Sequence, residues 1–409
     1  MARRSHFLTL FVALFSIGLV IALVSNPQTS FQAALRGLNI WWEVVFPATL
    51  PFIVLSEILM GFGVVHFVGV LLEPLMRPLF NVPGTGGFIL TMGFASGYPV
   101  TAKLTTSLRE SGNITRAEGE RLVSFVTTGD PLFVIGAVAV GFFHNEQLGF
   151  ILAATHYVSA LLLGIMYRFH APRDLSTKPI SKNKLPLLLR ALQAMHRARL
   201  NDGRAFGRLM GDAVHSALQT LLMIGGFLIV FSVILQLLST LNITQFLSAV
   251  ITVLLSPFDL PPQFAKALIS GIFEVTLGAQ ATSEVPGQVS LMWKAAIASA
   301  VISWGGLSVH AQVASILANT DIRVAPYLLA RFIHAIMAAI MTLIFWGPLT
   351  RMTEGIAASK PVFQVYDQPR MLHAWSDSLS HNGLTATLIF IVLIIISLLL
   401  YRQASRPTR

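Results

Sequence analysis

Four stretches of this chain put glycine, hydroxyl, amide and ionisable side chains inside strongly apolar sequence. In the first part they are Gly93-Phe-Ala-Ser-Gly-Tyr-Pro99 and Thr127-Thr-Gly-Asp-Pro131. In the second they are Gly271-Ile-Phe-Glu-Val-Thr-Leu-Gly-Ala-Gln-Ala-Thr282 and Trp304-Gly-Gly-Leu-Ser-Val-His310. Glycine lets a ligand approach the backbone and proline fixes a break, so each stretch reads as an interrupted helix. The N-terminus of a half-helix attracts anions through its free N–H groups and dipole. Ser96, Gly97, Tyr98 and Pro99 form such an opening, and Lys103 follows it, either to capture an anion or to snorkel to the interface. Asp130 and Glu274 are intramembrane carboxylates. Each is a candidate for binding a coupling proton or Na⁺, for capping the following half-helix, or for pairing with a base such as Arg331 or Lys294. Thr128, Gly129, Thr276, Gly278, Gln280, Thr282, Ser308, His310 and Gln312 add close backbone approach or neutral donors and acceptors. His310 either titrates as a gate or packs as a hydrogen-bonded core residue. Trp304 and Tyr98 either stack on an aromatic cargo or pack internally.

Lipid allows such chemistry in few places. An unpaired backbone group in hydrocarbon costs several kcal/mol, so a broken helix at membrane depth must line a cavity or pack on protein. Composition puts the chain in that setting. Of its 409 residues 54% are hydrophobic and 11% charged, whereas soluble domains carry about 25% charged residues. The net charge of +10 does not indicate nucleic acid, because many of the basic residues fall in loops between apolar spans. The absence of cysteine removes disulfides, thiol catalysis and cysteine metal sites. No phosphate-binding Gly-Lys-Ser loop and no His-Glu-x-x-His pair occurs, so no enzyme and no cofactor is expected.

The apolar runs give the elements that must position these residues. Residues 7–24 form an uncharged first helix, favoured over a signal peptide by its length, and 1–37 make up that helix and an outer loop. A first repeat spans 38–167, with a long span at 38–60, a short half-helix at 64–82, a broken hairpin from 86, and spans at 122–143 and 148–167. The linker 168–215 is basic, with ten Lys or Arg against three Asp over 168–212, and is expected in the cytoplasm. Residues 185–200 within it read as a basic amphipathic helix on anionic lipid. A second repeat, 216–349, copies the layout with spans at 216–239 and 246–258, a break in 264–280, and spans at 291–317 and 327–346. An outer polar loop and a last helix occupy 350–409.

Each repeat has five elements, an odd number, so the two copies should be inverted in the membrane. The basic loop 103–121 should lie inside and its counterpart 281–290, with no basic residue, outside. The expected fold is therefore an all-α polytopic membrane protein of two inverted repeats with broken or re-entrant hairpins meeting at a midplane site. The basic ends place both termini in the cytoplasm.

The four stretches, with Gly93 extended to Lys103, together resemble the YlbJ family of sporulation integral membrane proteins. The resemblance covers roughly 38–346. It implies two copies of the nucleoside-recognition Gate domain, similar to segments of concentrative nucleoside transporters and ferrous-iron transporters. It also implies dipicolinic acid as cargo, moved from the mother cell across the outer forespore membrane. Residues 350–409 match nothing in that pattern. The function expected is transport of a small polar or anionic organic solute across the cell membrane. A cation-coupled nucleoside-type carrier and a non-transporting scaffold of spore envelope assembly are the alternatives. The partners expected are that solute, the bilayer, a coupling proton or Na⁺ and further copies of the chain as a homo-oligomer, with no nucleic acid.

Overall fold

The computed structural model describes residues 2–172, 174, 177, 186–286 and 289–354. The last helix expected within 350–409 lies outside the described residues. All regular elements among the described residues are helical, and five are long and apolar enough to cross a membrane: Pro27–Gly61, Glu146–Tyr167, Phe206–Thr240, Leu291–Leu317 and Val324–Thr353. The protein is an all-α polytopic membrane protein.

After α1 (Ala2–Ser25), the first half begins with α2 (Pro27–Ile40), which runs through a π-helical stretch, Trp41–Val45, into α3 (Phe46–Gly61). Next come α4 (Val64–Leu75) with its π-helical end Met76–Phe80, then α5 (Gly86–Ser96) and α6 (Tyr98–Glu110). α7 (Arg116–Val126), the π-helical segment Leu132–Phe142 and α8 (Glu146–Tyr167) complete it. The linker carries α9 (Leu187–Asp202), which packs on α4 and donates from Arg190 to Glu73. The second half is α10 (Phe206–Thr240), α11 (Ile243–Leu255) with a 3₁₀ turn Ser256–Phe258, α12 (Gln263–Phe273), α13 (Val275–Ser283), α14 (Leu291–Trp304), α15 (Gly306–Leu317) and α16 (Val324–Glu354).

The halves match in their punctuation. The short helix of each starts from a left-handed residue, Gly63 (φ 78°) or Asn242 (φ 59°). Each short element ends on another, Asn81 (φ 52°) or Asp259 (φ 53°). Gly, Asn and Asp are the residues that tolerate this conformation. Two broken helices follow in each half. The breaks fall at Gly97 and at Thr127–Asp130 in one, at Glu274 and at Gly305 in the other.

Packing between the halves is reciprocal. α6 lies on α15, and the Leu132–Phe142 segment lies on α13. α7 contacts α16 as α8 contacts α14, and α3 meets α10. Trp41, Val45, Val134, Val138, Leu152, Leu221, Leu228 and Ile302 form an apolar core drawn from both halves.

Three expectations change. The outer loop expected up to residue 37 is helical from Pro27, where proline at the first turn starts α2. The loop 103–121 is mostly helical, because Lys103 to Glu110 continue α6 and a Thr115–Glu118 capping box starts α7. The spans at 122–143 and 291–317 are each two helices, divided where a carboxylate or a glycine pair releases the backbone.

Candidate functional site

A cavity of about 140 Å³ lies where the breaks of the two halves meet. Gly97, Tyr98 and Val100 of the first break line it, with Asp130 and Leu132 of the second. From the other half come Glu274, Val275, Thr276, Ser308 and Gln312. α3 contributes Thr49, Ser56 and Glu57, and α10 contributes Thr220 and Ile224.

Interrupting a helix releases N–H and C=O groups that must find partners. Most of the freed carbonyls here are tied by side chains. Ser56 donates to Ala95 (2.7 Å), Tyr98 to Ile302 (2.8 Å), Trp304 to Ile272 (3.2 Å) and Tyr157 to Gly129 (2.8 Å). Arg331, fully buried in α16, donates to the carbonyls of Ser124 and Thr127 at the end of α7. It neutralises the negative end of that helix.

The freed N–H groups divide into two sorts. Asp130 Oδ1 accepts from Leu132 (3.0 Å) and Phe133 (2.8 Å). Glu274 Oε2 accepts from Leu277 (2.8 Å), and its Oε1 from the Thr276 hydroxyl (3.2 Å). These two half-helices are capped by carboxylates. No side chain caps α6 or α15, whose caps are Gly97 and Gly305. Gly97 has φ 72° and ψ −164°, and a Cβ there would stand 3.0 Å from Asp130 Oδ2. Only glycine fits that backbone and that approach.

Neither carboxylate is neutralised by a base. Among the described residues no ion pair within 4.0 Å involves Asp130 or Glu274. Arg331 turns to carbonyls and to His334 Nδ1 (3.1 Å), and Lys294 donates to the carbonyls of Ser283 and Val285. The capping alternative is therefore realised in both, and pairing with either base is not. Asp130 and Glu274 also do not occupy equivalent places. Asp130 sits in the second break of its half, Glu274 in the first break of its own, opposite Gly97.

Several other candidates lie away from the cavity. Lys103 is exposed on α6. Thr128 and Gly129 are buried in the second break, where a Cβ on Gly129 would meet the Tyr98 hydroxyl at 2.9 Å. Gly278 serves close packing, since a Cβ there would lie 2.3 Å from the Gly271 Cα. Thr282 is buried and donates to the Gly278 carbonyl (2.7 Å). His310 is buried against Trp304 and joined to the Tyr327 hydroxyl (3.1 Å). The side chains of Ser96 and Pro99 lie outside the described residues.

Gln280 faces a different space, a polar vestibule of about 820 Å³ that also carries Arg36, Glu43, Lys266 and Glu284. Val44 and Leu277 line this vestibule, while Val45, Ile224 and Phe133 line the cavity. All five belong to the one apolar cluster, which divides the two spaces.

Glu57, not among the residues singled out from the sequence, lines the cavity and accepts from the Ser216 hydroxyl (2.8 Å). Thr49 and Ser56 were also missed. Their seven-residue spacing puts them on one face of α3, a weak signal in a helix otherwise apolar all round.

Comparison with known proteins fits this architecture. The chain is 49% identical over 344 residues to the sporulation integral membrane protein YlbJ of Bacillus subtilis (strain 168), covering 83% of each chain. The chain belongs to the YlbJ family of sporulation integral membrane proteins. A family model described as Gate, nucleoside recognition, matches residues 42–169. That match covers the first half up to the end of α8, so in this YlbJ-family chain it includes Gly97 and Asp130 but not Glu274. No solved structure matches the chain.

Proposed function

We propose that this protein is a carrier, not an enzyme. It moves a small polar or anionic organic solute through the central cavity by alternating access between two inverted repeats. The observation that carries this reading is the cavity itself. Together the halves contribute to it two uncapped half-helix N-termini and two carboxylates that have no cationic partner among the described residues. The N-termini suit an anionic group. The carboxylates suit a proton or Na⁺, because an ionised carboxylate in low dielectric needs a counter-charge. Solute and cation would then enter together, each offsetting the other's charge.

Dipicolinic acid is the cargo we favour, in the mother-cell or outer forespore membrane, with both termini in the cytoplasm. A dry cavity near 150 Å³ holds one benzene-sized ring. The space here, about 140 Å³, suits a single substituted ring better than a base joined to ribose. The nucleoside-type carrier is the second reading and rests on the Gate match. The test is uptake by purified protein in vesicles, comparing dipicolinate with uridine, with and without a proton gradient. Dipicolinate uptake that responds to the gradient is expected. Preference for uridine supports the second reading. No movement of either solute supports the non-transporting scaffold.

A further inference from the structure

The near ends of α6 and α15 line the cavity, and the two half-helices then run away from it side by side. Tyr98, Ala102, Val309, Val313 and Leu317 close the seam between them as one buried apolar cluster. At about 1.5 Å per residue, the 13 residues of α6 and 12 of α15 span roughly half a bilayer. The seam therefore runs from the cavity toward one protein surface.

Polar bonds lock the far end of that seam. Arg109, in the last turn of α6, makes a bidentate pair with Asp321, four residues beyond α15, at 2.7 and 2.8 Å. Beside it, Arg323 grips Glu120 of α7 through Nε (2.7 Å), Nη2 (2.9 Å) and its backbone N–H (3.3 Å). His170 Nε2 meets Glu120 Oε2 at 2.7 Å, and the Glu120 side chain is fully buried. Arg116 stands 3.8 Å from the same carboxylate. The Arg109–Asp321 and Arg323–Glu120 bonds join the short 318–323 connection of the second half to the first half, and His170 and Arg116 hold Glu120 from within the first half and the start of the linker. Among the described residues no such polar lock stands between the cavity and the vestibule, where the divider is the apolar layer of Val44, Leu277 and Ile224.

We infer that the α6–α15 seam is a gate and that Arg109–Asp321 with Glu120–Arg323–His170 is the latch that holds it shut. This rests on the alternating-access reading and deepens it. It assigns one exit to the seam, the other to the vestibule, and a different kind of barrier to each. An apolar layer yields to small side-chain movements, whereas the latch must exchange charge-assisted bonds for water before the seam parts.

Labelling tests the gate without any solute. The chain has no cysteine, so Val313→Cys places a single thiol in the seam and Gln245→Cys a single thiol in the vestibule. Asp321 and Arg323 are more than half exposed, so D321N and R323Q spare the core. The experiment measures the rate at which a water-soluble maleimide labels V313C in purified full-length protein. The double variant D321N/R323Q should label V313C about tenfold faster or more, because it removes both ion pairs that tie 318–323 to the first half. The Q245C rate should not change. Adding D321R to R109D should restore slow V313C labelling. An unchanged V313C rate in folded double variant overturns the gate. If the double variant fails to fold, R109C/D321C joined by a bis-methanethiosulfonate cross-linker decides instead: with cross-linking confirmed by mass, blocked uptake that recovers on reduction supports the gate, and unaffected uptake overturns it. Faster V313C labelling with no uptake of dipicolinate or uridine leaves the gate standing and removes the cargo reading.

Discussion

The two halves break their helices at equivalent places but with opposite chemistry. The first half has glycine at its first break and a carboxylate at its second, Gly97 and then Asp130. The second half has the carboxylate first and glycine second, Glu274 and then Gly305. Because α6 pairs with α15 and the Leu132–Phe142 segment pairs with α13, this exchange sorts the four half-helices by type. The two glycine-capped ends lie together, and so do the two carboxylate-capped ends. Like caps thus pair across the halves, while within each half the glycine break packs on the carboxylate break, Gly97 on Asp130 and Gly306 on Glu274. Copies with the same order of chemistry would have placed one of each kind in both pairs.

The strongest way to break this comparison is to remove the carboxylates. Asp130→Asn and Glu274→Gln keep size and much of the capping while deleting the charge. Each should reduce gradient-driven uptake by about 100-fold, with normal protein levels, as expected for an intramembrane ion site. Normal uptake in both would leave only the capping role.

Forcing a side chain into a glycine break tests the other kind of cap. Gly306 has φ 81°, and a Cβ there would meet backbone atoms of Phe273, Glu274 and Val275 at 3.0 Å. Gly306→Ala should therefore lower stability by about 1–3 kcal/mol, read as a loss of thermal midpoint in detergent. Gly112→Ala is the control, because its φ is also positive, 68°, but its Cβ would meet nothing within 4 Å. It should cost less than Gly306→Ala.

Tyr98→Phe sharpens the link between the halves. It deletes the bond to the Ile302 carbonyl and leaves that group buried, at a cost of about 1–3 kcal/mol. Equal midpoints for Tyr98→Phe and the parent would show that the bond does not join the breaks.

The smallest effect concerns pH. Burial pushes the Glu120 carboxyl up, but hydrogen bonds from Arg323 and His170 outweigh it and hold it below its ordinary value of 4.5. A depressed carboxylate stabilises the fold above its unfolded pKa, and that contribution is lost as pH falls through the folded value. The V313C rate divided by the Q245C rate, which cancels the fall in thiolate with pH, should be flat from neutral pH down to about 5 and rise only in more acid solution. A rise already near neutral pH would show that a group other than Glu120 controls the latch.

Much of this was legible in the residue order. Low charge and long apolar runs require helices that satisfy their own backbone, and glycine, proline and carboxylates inside such runs require breaks. Asp130 and Glu274 stood out because a carboxylate in apolar sequence is expensive. Glu57, Thr49 and Ser56 did not, because nothing in α3 marks which side faces protein. Lys103, Thr282 and His310 drew notice by type, yet helix rotation turns them from the cavity.

The chain by itself determined that helices form, where they stop and which breaks carry charge, since these follow from local backbone chemistry and the cost of polarity in lipid. Only the tertiary arrangement decided which half-helices meet. That choice set Arg331 on the carbonyls of Ser124 and Thr127, and Arg323 on Glu120, each more than 200 residues away in sequence. No local pattern encodes such partners, because they depend on how two separate halves bury one another.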